Sequence, residues 1–230
     1  MQIKTIKHQH QTMEEKLNTL RAGVLGSNDG ILTVVGVLVS VAAATSNSFT
    51  IFIAGLSDLL ACAFSMAVGE YASVSTQKDT EKSVVAKEQH LLKTDFQGEL
   101  EAVQAYYHSK GLTSDLSLKI AEDLMKKKPL ATVLKVKYNI ELGHYLDPWA
   151  AAFSSLFAAA LGGILPLMAM TFVNGFYKWP MTIAAVAASS ALTALISSKL
   201  GDGDTKVAII RNIVIGLITI AIHYGVGRLF

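Results

Sequence analysis

The chain has 230 residues, 51% of them hydrophobic and 17% charged, with a net charge of +2. Its mean hydropathy of +0.41 and a charge fraction below the ~25% of soluble domains point to a membrane protein. A single cysteine, Cys62, excludes an internal disulfide and a cysteine-rich zinc site, and no basic patch interleaved with aromatics suggests nucleic acid as a partner.

Residues 1–21 carry Lys4, Lys7, Glu14 and Glu15 and lack the apolar core of a signal peptide. They are expected to be a cytoplasmic N-terminal segment, with His8 and His10 as tail residues. The apolar run 31–45 that follows is shorter than the roughly 20 residues needed to cross a bilayer. It is preceded by "LGSNDGIL", and Asn-Asp-Gly is a strong turn signal. Asp29 is therefore either an N-cap, leaving a helix that must thin the membrane, or a carboxylate inside a helix that starts near Ala22. The length requirement favours the second reading.

The next span is expected at 49–75 despite Asp58 and Glu70, so that 22–76 holds the first two membrane helices. Residues 77–147 then hold 11 Lys and 11 Asp or Glu of the 38 charged side chains, and read as a small helical domain inserted between spans. Residues 78–92, free of Gly and Pro, should continue the second span as one long helix. A helix over 95–110 carries Phe96, Leu100, Val103, Tyr106 and Tyr107 at helical spacing. Gly111-Leu112-Thr113 should end it, and Thr113 or Ser114 should cap a third helix to Lys127. A fourth is expected from Pro129 to near Gly143.

Three further spans, 149–173, 179–198 and 207–229, follow within 148–230, divided by Lys178-Trp179-Pro180 and by the turn Gly201-Asp202-Gly203-Asp204. Trp149 and Trp179 fall where interfacial aromatics belong. The fold class is thus an all-α membrane protein with five transmembrane helices and a cytoplasmic insert. Five spans put the termini on opposite sides, and the excess of Lys and Arg places the N-terminus inside and the C-terminus outside.

Ionisable groups within a bilayer cost about 2.5–3.5 kcal/mol each and tend to mark a pathway. On the second span, Asp58, Cys62, Ser65, Met66 and Glu70 form a slowly winding stripe at about 100° per residue. A carboxylate with a thioether suits Fe²⁺ or Mn²⁺, the sulfur discriminating against Mg²⁺ and Ca²⁺. Asp29 could face Asp58 and complete the site. Met66 and Cys62 taken singly are ordinary packing residues, and Glu70 could reach water at the cytoplasmic interface. Glu88, Glu99, Glu101 and Glu141 of the insert read from spacing alone as solvated surface. His223 near the end of the last span has no obvious partner. No G-x-S-x-G, H-E-x-x-H or phosphate loop suggests an enzyme, and no resident cofactor is expected.

The segments "SNDGILTVVGVLVSVA" and "GLSDLLACAFSMAVGEYASVSTQKD", with "ELGHYLDPW" and the closing "HYGVGRLF", resemble the vacuolar iron transporter (VIT) family of iron and manganese transporters over about 21–230. The resemblance implies a homodimer whose first helices line the path and export of Fe²⁺ or Mn²⁺ from the cytosol, with protons moving the other way. It carries the intramembrane metal roles onto Asp29, Asp58 and Met66, the acidic residue at Asp58 being Glu in some members. It also matches the insert to a cytoplasmic metal-binding domain, with Glu88, Glu99 and Glu141 at glutamate positions. Leu91 and Ala102 stand where partner glutamates are expected, and Lys137 and Tyr138 where methionines occur. A lysine there would repel a cation, which leaves one weak site or a role in dimerisation.

The expected function is a membrane exporter of Fe²⁺ and/or Mn²⁺ working against protons, with Asp29, Asp58 and Met66 holding the ion and Glu70 passing it from the cytoplasm. Its partners are the lipid bilayer, divalent transition metal ions, protons and a second copy. A bacterial inner (plasma) membrane is the expected location, a vacuolar membrane the alternative. The rival reading is a membrane-anchored interaction protein whose insert binds a partner and whose spans only anchor it.

Overall fold

The structure, a computed structural model, describes residues 13–229. His8 and His10 lie outside the described residues. Among the described residues there is no strand, and the elements in chain order are α1 Met13–Ala44, α2 Ser48–Thr94, α3 Phe96–Ser109, α4 Ser114–Lys127, α5 Pro129–Tyr138, α6 Pro148–Phe172, a short 3₁₀ turn Gly175–Tyr177, α7 Lys178–Leu200 and α8 Thr205–Gly227. Five of these segments are long and apolar enough to cross a membrane. The chain divides into two compact units: one made of the chain up to Val74 and from Asp147 onward, the other Ser75–Leu146.

In the first unit α1 lies at the centre, packed against α6, α7 and α8. Ile31, Val34, Val35, Leu38 and Val39 are fully buried, and they meet Ile51 and Leu59 of α2, Leu167 and Met170 of α6, and Val186 of α7. Helices in lipid gain little from apolar burial, so close backbone approach must supply the contact. The sequence provides it through small residues on both partners. A Cβ added to Gly26 would stand 2.5 Å from the Ser155 carbonyl oxygen, and one on Gly30 would run into the Ala159 backbone. The two helices touch where both are thinnest.

The outer faces of the other spans remain apolar. Phe153, Phe157 and Leu161 of α6 and Ile210, Ile218 and Ile222 of α8 are exposed, as a hydrocarbon surround requires. Aromatic pairs mark both ends: Tyr71 and Trp149, with ring centroids 4.7 Å apart, and Trp179 and Tyr224 at 5.5 Å. Such rings sit at headgroup level.

Helix boundaries follow local chemistry. Asp147 accepts a hydrogen bond from Trp149 N, with Pro148 in the first turn of α6, and Asp204 accepts from Lys206 N and Val207 N to start α8. In the second unit, Asp95 caps α3 through Gly98 N. Leu100, Val103, Ala121, Met125 and Val133 form its core.

Three expectations are revised. Helix α1 is already helical over 13–21, ahead of the start expected near Ala22, because those residues contain no Gly or Pro to interrupt it. Helix α5 stops at Tyr138, since Asn139 takes the left-handed conformation (φ 57°) and its N–H and that of Ile140 close back on the last turn. Thr113 precedes α4 without capping it through its side chain.

Candidate functional site

The stretch Ser27-Asn28-Asp29-Gly30 lies within α1 and is helical throughout. At 3.6 residues per turn, four successive positions sweep about 300°, so they face different neighbours. Ser27 Oγ is 2.7 Å from Thr193 Oγ1 on α7. Asn28 Oδ1 accepts a hydrogen bond from Asn212 Nδ2 on α8, at 3.3 Å. Gly30 lets the backbone of α6 approach. Asp29 is half-buried, and its carboxylate is within electrostatic reach of Cys62 on α2. The turn-like sequence thus serves as a hub: small and polar residues satisfied by neighbouring helices where no water can satisfy them.

On α2 the Cys62 thiol lies beside the Thr33 side chain of α1, and the carboxylates of Asp29 and Asp58 are both within electrostatic reach of it. Thr33 Oγ1 in turn donates to the Asp29 carbonyl oxygen at 2.9 Å. The two helices therefore bring Asp29, Thr33, Asp58 and Cys62 into one neighbourhood. Asp58 is half-buried, and its Oδ2 is enclosed with no hydrogen-bond partner among the described residues. Four such enclosed atoms exist there, the others being hydroxyls of Ser155, Thr171 and Ser189, so this is the sole carboxylate oxygen of the group. A buried carboxylate oxygen without a donor is costly. A bound cation would remove that cost.

Met66, half-buried, stands one turn beyond Cys62 on the same helix. Among the described residues no three His, Cys, Asp or Glu side chains gather closely enough to hold a metal ion. One chain brings oxygen and sulfur donors together but does not close a coordination shell. Sequence reasoning gave no role to Thr33, Asn28 or Asn212. The signal for Asn212 was present: an amide within an apolar run must find a partner.

Glu70 is only 6% exposed, and its Oε2 lies 3.2 Å from the Arg21 guanidinium of α1. It is paired rather than open to water, although sequence position alone suggested a carboxylate that reaches the interface. Arg21 also donates to Asn18 Oδ1. His223 has partners as well: Ser40 Oγ lies 3.2 Å from its Nδ1, and the ring fills the space that a side chain at Gly36 would need.

The described groove of about 700 Å³ between α1, α6 and α7 holds none of these carboxylates. Leu20, Val24, Leu161, Leu165, Leu192 and Ile196 line it, a hydrocarbon-like surface.

In the inserted unit, Lys137 Nζ contacts Glu88 Oε2 at 2.9 Å and both oxygens of Glu99 at 3.0 Å. Tyr138 Oη donates to Glu88 Oε1 at 2.7 Å. Burial pushes the Glu88 carboxyl up, but donation from Tyr138 and Lys137 and the lysine charge outweigh it and hold it below the usual carboxylate range. For Lys137 burial works downward, yet the two carboxylates keep its ammonium above the usual lysine value. The hydrogen bond to Glu88, with burial, raises the Tyr138 phenol. Glu141 stands apart, exposed and paired with Lys135 at 3.2 Å.

Fold and site together define an integral membrane protein with a carboxylate and thiol neighbourhood shared by its first two spans. The chain belongs to the VIT family, whose profile matches residues 20–228. It is 32% identical over 214 residues to a vacuolar iron transporter of Acanthamoeba castellanii, covering 91% of this chain and 78% of that one. It is 28% identical to vacuolar iron transporter homolog 2 of Oryza sativa subsp. japonica, over 92% of this chain and 90% of the relative. Vacuolar iron transporter homolog 2.1 of Arabidopsis thaliana is 26% identical over 93% of this chain and 82% of its own length.

Proposed function

We propose that the protein exports Fe²⁺ or Mn²⁺ from the cytosol in exchange for protons. The observation that carries this reading is the enclosed, unpartnered Asp58 Oδ2 beside the neighbourhood it shares with Asp29, Cys62 and Thr33. Carboxylate oxygens attract a hard or borderline divalent ion, and the sulfur of Met66 or Cys62 favours a transition metal over Mg²⁺ and Ca²⁺. A carboxylate that gives up its metal outward can take a proton in its place, which couples the two flows. A membrane anchor would gain nothing from such a group. The relatives named as iron transporters support the same cargo class.

A second copy completes the path. Leu25 and Thr33, one turn either side of Asp29 on α1, are exposed, so the stripe that carries Asp29 is open in the single chain. A charged stripe facing lipid is costly. A two-fold pairing of that face places two sets of donors around one ion and supplies the ligands that one chain lacks. With the Lys and Arg excess of the insert inside, the N-terminus is cytoplasmic, Glu70 and Arg21 sit at the cytoplasmic mouth, and the C-terminus is outside. A bacterial inner membrane suits this arrangement.

The test is uptake into proteoliposomes with an entrapped metal-quenched dye, supplied with Fe²⁺, Mn²⁺, Co²⁺ or Zn²⁺ with and without a pH gradient. Quenching by Fe²⁺ or Mn²⁺ that accelerates with an opposing proton gradient is expected, and Asp58→Asn should abolish it. Unchanged transport by Asp58→Asn defeats the assignment.

A further inference from the structure

The inserted unit holds two buried glutamates outside the neighbourhood of Asp29 and Asp58, and their geometry is that of a cation cradle. Glu88, at the far end of α2, is 0% exposed, and Glu99 on α3 is nearly as enclosed. Three of their four carboxylate oxygens converge on one point, Lys137 Nζ, at 2.9–3.0 Å, and the fourth accepts from Tyr138. Every oxygen of the pair therefore has a donor. Lys137 and Tyr138 both come from the last turn of α5, so three helices of this unit meet at a single positive charge.

That point cannot hold a metal ion as well. Distances near 3.0 Å are those of N–H···O bonds, whereas divalent ions of this size take oxygen at roughly 2.0–2.2 Å. The ammonium occupies the centre, its donors consume the lone pairs a metal would need, and its charge repels an incoming ion. The third expected glutamate, Glu141, is turned to Lys135 instead. The residues present do not fit a metal there.

We infer that Lys137 is the resident cation of the inserted unit: its ammonium stands where a divalent metal would bind between Glu88 and Glu99, and it closes this unit to metal. The unit then folds without metal and gathers no cargo, whatever the spans carry. A lysine tethered to α5 has a fixed stoichiometry and cannot be chelated away, so the junction of α2, α3 and α5 stays constant as metal concentration changes.

The test uses the full-length protein in detergent, with Mn²⁺ as the probe and binding read by equilibrium dialysis and by the Mn²⁺ paramagnetic resonance signal. With Lys137 in place, the Glu88→Gln/Glu99→Gln double variant should bind as many Mn²⁺ ions per chain as the unaltered protein. Lys137→Met should gain one ion per chain, and adding the two Gln substitutions should remove that gain. Amide exchange over Pro129–Tyr138 in the unaltered protein should be the same in EDTA and in Mn²⁺. Loss of bound Mn²⁺ in the double Gln variant, or faster exchange in EDTA, overturns the inference. So does a folded Lys137→Met protein that gains no ion. Should Lys137→Met not fold, the first comparison and the exchange measurement still decide.

Discussion

Arg21 and Glu70 face each other at 3.2 Å, one on α1 and the other on α2, and the glutamate is almost wholly enclosed while the arginine keeps contact with solvent. The pair fastens the two helices that carry Asp29 and Asp58, about two turns from Asp29 on one helix and about three turns from Asp58 on the other. Arg21→Ala should leave Glu70 buried without its counter-charge. It should lower stability by about 1–2 kcal/mol, since the exposed side of the pair is screened. Glu70→Gln should cost less, because the amide oxygen still accepts from Arg21. Thermal melts in detergent would check the order; equal losses would mean the ion pair contributes little.

The close approach of α1 and α6 gives a second prediction. Gly30→Ala drives a methyl group into the Ala159 backbone and should destabilise the first unit by about 1–3 kcal/mol or more, read as a collapsed gel-filtration peak. Gly69→Ala, where an added Cβ meets nothing within 4 Å, should be neutral or gain up to about 1 kcal/mol from helix propensity.

The Asn28–Asn212 contact holds the polar hub in register. Asn212→Leu should strand the Asn28 amide in the span and cost about 1 kcal/mol. It should also slow transport in vesicles by loosening the rotation of α1 that sets the position of Asp29. A variant that melts lower but transports at the original rate would separate stability from positioning.

The inserted unit should lose stability at both ends of the pH scale. Glu88 is held below its ordinary value, so its contribution is present above about pH 4–5 and is lost as pH falls through the lowered value. Lys137 and Tyr138 are raised, so theirs is complete below about pH 10 and is lost as pH rises through the raised values. Amide exchange of α3 and α5 should therefore be flat between about pH 5 and 9 after correction for intrinsic rates. In Lys137→Met the acid limb should move to higher pH, because Glu88 loses the charge that held it down.

Hydropathy and local chemistry by themselves determined that this is an all-α membrane protein with five spans, and that Asp29 lies inside the first. A 15-residue apolar run cannot cross a bilayer, so length alone drew the aspartate into the helix. Asp95, Asp147 and Asp204 cap their helix starts in the structure, whereas Thr113, a cap expected from sequence, makes no side-chain cap bond. The helical course of residues 13–21 and the stop of α5 at Asn139 were not legible, since nothing between Met13 and Ala22 punctuates the chain and a left-handed asparagine looks like any other. Tertiary structure alone decided which charges meet. Arg21 pairs with Glu70, and Lys137 with Glu88, each 49 residues away in sequence. Such partners depend on how each helix is rotated and packed, and periodicity along one chain says only which face a residue occupies, never what stands opposite it.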